Sequence, residues 1–123
     1  MKSNKWYKAN NAPRTITVTA ARTLLDSESG STIVFEGATD LAVTMPSAEV
    51  GMEFSFLINA ASVECRITPV TLEQMSLATG ALSAASKYVN NVEETVGTFY
   101  KFICFNKTEW TCVLANGTLE AEG

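Results

Sequence analysis

The stretch that most constrains this chain is residues 41–68, LAVTMPSAEVGMEFSFLINAASVECRIT. An apolar run ends at Met45-Pro46, a short turn closes on Gly51, and strict alternation follows. Met52, Phe54, Phe56 and Ile58 fall on one side; Glu53, Ser55, Leu57 and Asn59 fall on the other. Val63, Cys65 and Ile67 then alternate with Glu64, Arg66 and Thr68. Successive side chains of a strand point to opposite faces, so this period of two specifies half-buried strands. The two segments are expected to pair as an antiparallel hairpin over Ala61-Ser62, with Pro69 ending the second.

The same punctuation runs through the chain. Residues 15–20 alternate threonine with Ile16, Val18 and Ala20, a β-branched strand pattern. Residues 20–25 extend it or form one helical turn, and 26–30 (DSESG) are a turn cluster. Residues 32–36 are a short strand, 37–40 turn the chain, and 41–45 return it. Pro46 cannot donate to a ladder, so the strand ends there or lies at an edge. Gly51 can take a positive φ before the next strand. Residues 71–78 read either as two helical turns, with Leu72 and Met75 on one face, or as a strand followed by a long loop through Gly80. Residues 87–92 read as a strand. Residues 98–105 form a strand with both faces apolar: Tyr100, Phe102 and Cys104 on one, Phe99, Ile103 and Phe105 on the other. A strand of that kind needs cover on its second face. Asn106-Lys107-Thr108 turns the chain into residues 109–115, with Trp110, Cys112 and Leu114 on one face. Asn116-Gly117 is a tight-turn dipeptide.

About eight short strands at 8–12-residue spacing predict an all-β fold, an antiparallel β-sandwich or jelly-roll-like domain over residues 15–118. It is flanked by a basic N-terminal arm, 1–14, and an acidic tail, 119–123. At 123 residues the chain is one domain with room for a core that needs no disulfide or metal staple.

Charge separates the arm from the body. Net charge is −4, yet the first 14 residues carry Lys2, Lys5, Lys8 and Arg14 and no acid. With Trp6 and Tyr7 beside them, these basic residues are candidates for docking on an acidic surface; a solvated tail is the alternative. The patch is too small to indicate nucleic acid. No apolar run follows the lysines as in a secretory signal, and none approaches the ~18 residues of a membrane span. Three cysteines, an odd number, favour reduced thiols and synthesis in a cytosol.

Histidine is absent. That removes the commonest general base and metal ligand, and with it serine–histidine and cysteine–histidine nucleophile systems. The cysteines lack CxxC spacing, so no zinc site is expected. Asp26/Glu28, Glu93/Glu94 and Glu120/Glu122 are the candidate carboxylate pairs, and all lie in turns or the tail. A calcium site at Asp26, Glu28 and Asp40 lacks a known loop spacing. Single turn glycines make no phosphate loop. The chain is therefore expected not to be an enzyme and to need no cofactor. Asn106-Lys-Thr108 and Asn116-Gly-Thr118 match a glycosylation sequon but read as turns. Cys104 and Cys112 read as core thiols; a bridge would require them opposite each other across a three-residue loop. Exposure of Phe99, Ile103 or Leu57 would mark an interface.

Ser29-Gly30-Ser-Thr-Ile-Val-Phe35, Leu41-Ala-Val-Thr-Met-Pro46 and Gly51-x-x-Phe54-x-Phe56 together resemble a pattern in small virion proteins of tailed bacteriophages. The close is similar too: Gly97-Thr-Phe-Tyr-Lys-Phe-Ile-Cys104, a turn, Glu109-Trp110-Thr-Cys112, then Asn116-Gly117. Met45 departs from the usual leucine before proline, and the aspartate before Ser-Gly is displaced to Asp26. The resemblance implies a virion structural protein, above all a capsid decoration (cement) protein. Its partner would be the major capsid protein, its state a homo-oligomer with a trimer favoured, and its place the capsid surface after synthesis in the host cytoplasm. A tail-fibre or spike module binding receptor or glycan is the alternative, and a small β-sandwich enzyme or carbohydrate-binding accessory domain a third, with the absence of histidine against the enzyme version. The resemblance carries over no catalytic residue.

Overall fold

The computed structural model describes residues 14–37, 39–60, 64–93 and 95–122. Every element of any length is a strand. The first six are β1 (Arg14–Val18), β2 (Arg22–Thr23), β3 (Ser31–Phe35), β4 (Leu41–Thr44), β5 (Glu53–Ile58) and β6 (Cys65–Thr68). There follow β7 (Gln74–Met75), β8 (Val89–Asn91), β9 (Phe99–Asn106), β10 (Glu109–Ala115) and β11 (Leu119–Ala121). A short 3-10 turn over Asp26–Glu28 occupies the expected turn cluster. The all-β expectation holds, with β2, β7 and β11, each of two or three residues, added to the eight anticipated strands.

The strands form two sheets, ordered β1-β3-β5-β9-β10-β7 and β11-β8-β6-β4-β2. The antiparallel expectation fails here, because both sheets are mixed. From β1 to β6 the chain alternates between sheets, and each strand lies parallel to the one two places earlier: β1 with β3, β3 with β5, β2 with β4, β4 with β6. The hairpin expected between residues 52–60 and 63–68 does not form; β5 and β6 belong to different sheets. Alternation reports which face a residue takes and is the same for parallel and antiparallel neighbours, so it could not choose the partner. Among the described residues the antiparallel strand pairs are β9 on β5, β10 on β9, β8 on β6 and β11 on β8, with one isolated antiparallel bridge between Ser76 and Leu82. Residues 119–121, read as the start of an acidic tail, are thus a sheet strand.

The core lies between the sheets. One supplies Ile33, Phe35, Phe54, Phe56, Phe102 and Trp110; the other supplies Leu41, Val43, Cys65, Ile67 and Val89. Burial of β5 strictly alternates, with Phe54 and Phe56 at 0% exposure. The aromatic side chains stack across neighbouring strands, Phe35 on Phe56 at 6.1 Å and Phe56 edge-on to Phe102 at 5.9 Å. Such pairs add about 0.5–1.5 kcal/mol beyond area burial. Gly51 takes φ +96°, as its place before β5 requires. Residues 71–78 are not helical: Leu72 has φ +73°, which ends any right-handed turn, and β7 with a loop takes up the segment.

Candidate interaction surface

The inward alternation of β3, β5 and β9 leaves a second set of side chains on the outer face of the six-stranded sheet. Register brings three of them into a row: Val34 beside Leu57, and Leu57 directly opposite Phe99. Glu53 faces Ile103, and Ser55 faces Lys101. The predicted contact residues Phe99, Ile103 and Leu57 therefore share one face, and all three are half-buried. Val34 is only 7% exposed although it points outward. A single ion pair, Lys101 Nζ to Glu53 Oε1 at 3.2 Å, interrupts this apolar band.

Register shifts in β10 enlarge the band. Between Cys112 and Leu114 the pairing with β9 slips, so Cys112 opposes Phe102 while Leu114 opposes Lys101. Leu114 was expected inside with Trp110; the extra residue turns it out instead, 57% exposed. Val113 and Phe105 are exposed as well. Nothing in the local sequence announces this bulge. Cys112 opposes Phe102 and not Cys104, and both cysteines are thiols. Burial pushes each thiol up, and the Cys104 Sγ–H donates to the Asn106 carbonyl at 2.7 Å. Neither has the electropositive setting that makes a reactive thiolate.

Of the basic candidates, Lys2, Lys5, Trp6, Tyr7 and Lys8 lie outside the described residues. Arg14 opens β1 as an exposed residue, and its guanidinium donates to the Ser27 carbonyl at 3.1 Å. It stands on the sheet edge, apart from the Leu57–Phe99 row, with β3 between.

Of the paired carboxylates, Glu94 lies outside the described residues, and Glu28, Glu93, Glu120 and Glu122 have structural uses, as do Glu73 and Asp40. Glu28 accepts from the Leu25 N–H at 2.9 Å and pairs with Arg22. Both oxygens of Glu73 accept from the Ala48 N–H, and Asp40 accepts from the Glu64 N–H at 3.0 Å. Glu93 Oε1 accepts from the Thr118 N–H at 2.7 Å, a bond that holds its carboxyl below the ordinary range. Glu120 accepts from the Asn90 amide, and Glu122 from Lys87 and the Tyr88 N–H. Among the described residues no three or more metal-ligating side chains cluster. Asp26, Glu28 and Asp40 do not form a calcium site there. Among the described residues no helix is long and apolar enough to cross a membrane. Both sequon matches are turns; Asn106 Oδ1 alone accepts from Thr108 N–H, Thr108 O–H and Glu109 N–H.

No protein-family model matches this chain, and a comparison with characterised proteins gives no match either.

Proposed function

We propose that this protein is a structural component of a tailed-phage virion, a decoration protein that binds the outside of the head and stabilises it by bridging capsid subunits. The observation that carries the reading is the row Val34, Leu57, Phe99 on the outer face of a rigid sheet, continued by Ile103 and Leu114. Covering that face removes apolar area from water at roughly 25 cal/mol per Å². Many weak contacts of this kind, repeated around a shell, add up through avidity. The two-sheet body acts as a sandwich scaffold, and the basic segment with Lys2, Lys5 and Lys8 reaches for acidic surface on the shell or a neighbouring copy. Carboxylates engaged in backbone hydrogen bonds and the absence of histidine support a non-enzymatic role.

The test is co-sedimentation with empty capsids of the cognate phage. A Leu57→Thr/Phe99→Thr variant keeps β-propensity and leaves the core untouched. It is expected to keep the wild-type circular dichroism and to lose most capsid binding. Undiminished binding would remove the outer face from the mechanism.

A second reading, a tail-fibre module, is favoured by one feature: the stacked parallel winding of β1 to β6, a geometry that extends by adding coils. Labelling of intact virions separates the two, since the first reading places the protein on the head and the second on the tail.

A further inference from the structure

We infer that β1 is a strand-addition edge whose occupant is β1 of a second copy, running antiparallel across a two-fold axis at Ile16. This inference is independent of the virion reading. The Val18 carbonyl accepts from the Glu36 N–H at 3.0 Å, so Val18 turns its peptide groups toward β3. Peptide groups alternate sides along a strand, so Arg14 and Ile16 also face β3. Thr15 and Thr17 then present their N–H and C=O groups to the opposite side, where no described strand pairs with them.

The two ends of this sheet are treated differently. At the far edge, β7 is two residues long and its backbone is covered: Met75 N–H donates to Ser83 Oγ at 3.0 Å, and Ser83 N–H donates to the Met75 carbonyl at 2.7 Å. β1 has five residues with no bulge or interior proline, and its only charge is Arg14 at the first position. A straight, β-branched edge of that kind invites a partner strand.

Its sequence fits itself. Thr15-Ile16-Thr17 reads the same in both directions. With Ile16 on the axis, Thr15 opposes the partner's Thr17 twice, giving four N–H···O bonds from the four outward peptide units. Threonine opposite threonine is a favourable cross-strand pair. Arg14 falls opposite the partner's Val18, which separates the two arginines by about 13 Å along the strands. Ile16, only partly buried at the sheet edge, gains cover from the partner's Ile16. An isologous contact closes with two copies, in place of the three-fold arrangement that the virion role implied.

Sedimentation velocity of the full chain is expected to show a species of two 13.2 kDa chains that dissociates on dilution. Amide exchange is expected to protect Thr15 and Thr17 only in that dimer, and Ile16 and Val18 in both states. Thr17→Pro removes an outward N–H that β3 does not use, so it should raise the dissociation constant by at least about tenfold with unchanged circular dichroism. Ile16→Cys should cross-link to itself under mild oxidation while the wild type does not. A non-hydrogen-bonded antiparallel pair sets its Cα atoms about 4.5 Å apart, within disulfide reach. If Thr17→Pro fails to fold, the exchange and cross-linking measurements decide. A monomer at all concentrations, a three-chain species, Thr15 and Thr17 protected in the monomer, or a dimer indifferent to Thr17→Pro would each overturn the inference.

Discussion

Trp110 is fully buried and packs against Phe54 with ring centroids 5.8 Å apart, yet its indole N–H has no hydrogen-bond partner among the described residues. An unpaired buried donor costs about 1–3 kcal/mol, so the ring is retained for its volume. Trp110→Ala is expected to cost about 3–5 kcal/mol in urea unfolding. Trp110→Phe is expected to cost less than half as much, because it removes the unpaired donor together with part of the volume. Alternation in residues 109–112 already placed Trp110 in the core. By contrast, the role of Asn116-Gly117 was not legible. It reads as a tight turn leading into a tail, whereas it leads into β11, a strand of the other sheet. Asn116 Oδ1 instead accepts from Phe99 N–H at 2.6 Å, and a Cβ on Gly117 would lie 2.5 Å from Thr98 Cγ2. Gly117 is there for close packing, a tertiary contact no dipeptide rule reports.

Strands are tied at their ends by acidic side chains, the element-scale counterpart of the missing helix caps. Glu93 shows what this means for pH. Its carboxyl is held below the ordinary 4.5, first of all by the Thr118 backbone N–H. A depressed value in the folded state means that the bond contributes stability above the unfolded value and that this contribution is lost as pH falls through the folded one. Glu93→Gln is therefore expected to lower Tm at pH 7, with the difference from wild type shrinking below about pH 4.5. A constant Tm gap from pH 7 to pH 3, followed by scanning calorimetry, would contradict that role. Tyr100, beside it, behaves differently. Burial first and Glu93 second push its phenol far up, so it stays protonated and donates to the Thr118 carbonyl at 3.0 Å. The bulge in β10 belongs to this scale too. It decides that Leu114 joins the outer band, and sequence periodicity reads straight through it.

Across the whole molecule, the apolar outer face and Arg14 lie on different parts of the six-stranded sheet, since Arg14 is on its edge and Phe99 near its middle. If the protein is the proposed decoration protein, the basic segment and the apolar face are expected to contribute separably to docking. Removing residues 1–12 spares β1 and is expected to leave the fold intact, to weaken capsid co-sedimentation and to abolish most of its salt dependence. The Leu57→Thr/Phe99→Thr variant is expected to weaken binding while keeping the salt dependence. Charge interactions are screened beyond about 8 Å at physiological ionic strength, whereas apolar burial is not. Equal salt slopes for full-length and truncated chains would remove the electrostatic part.

Local pattern determined the composition of the core. Phe54, Phe56, Ile58, Ile67, Phe102 and Trp110 were all legible as inward residues, because a strand's faces alternate whatever lies beside it. The hairpin of β9 and β10 was legible as well, since Asn106 encodes its turn within four residues. Pairing between distant segments was decided only in three dimensions. The register of Leu41 with Cys65 or of Thr32 with Ser55 spans more than twenty residues, and no local signal distinguishes a parallel neighbour from an antiparallel one. The choice follows from closing one core between two sheets, where each returning strand lies beside the one already buried there. That same choice put Leu57 opposite Phe99 and left Thr15 and Thr17 on a sheet edge.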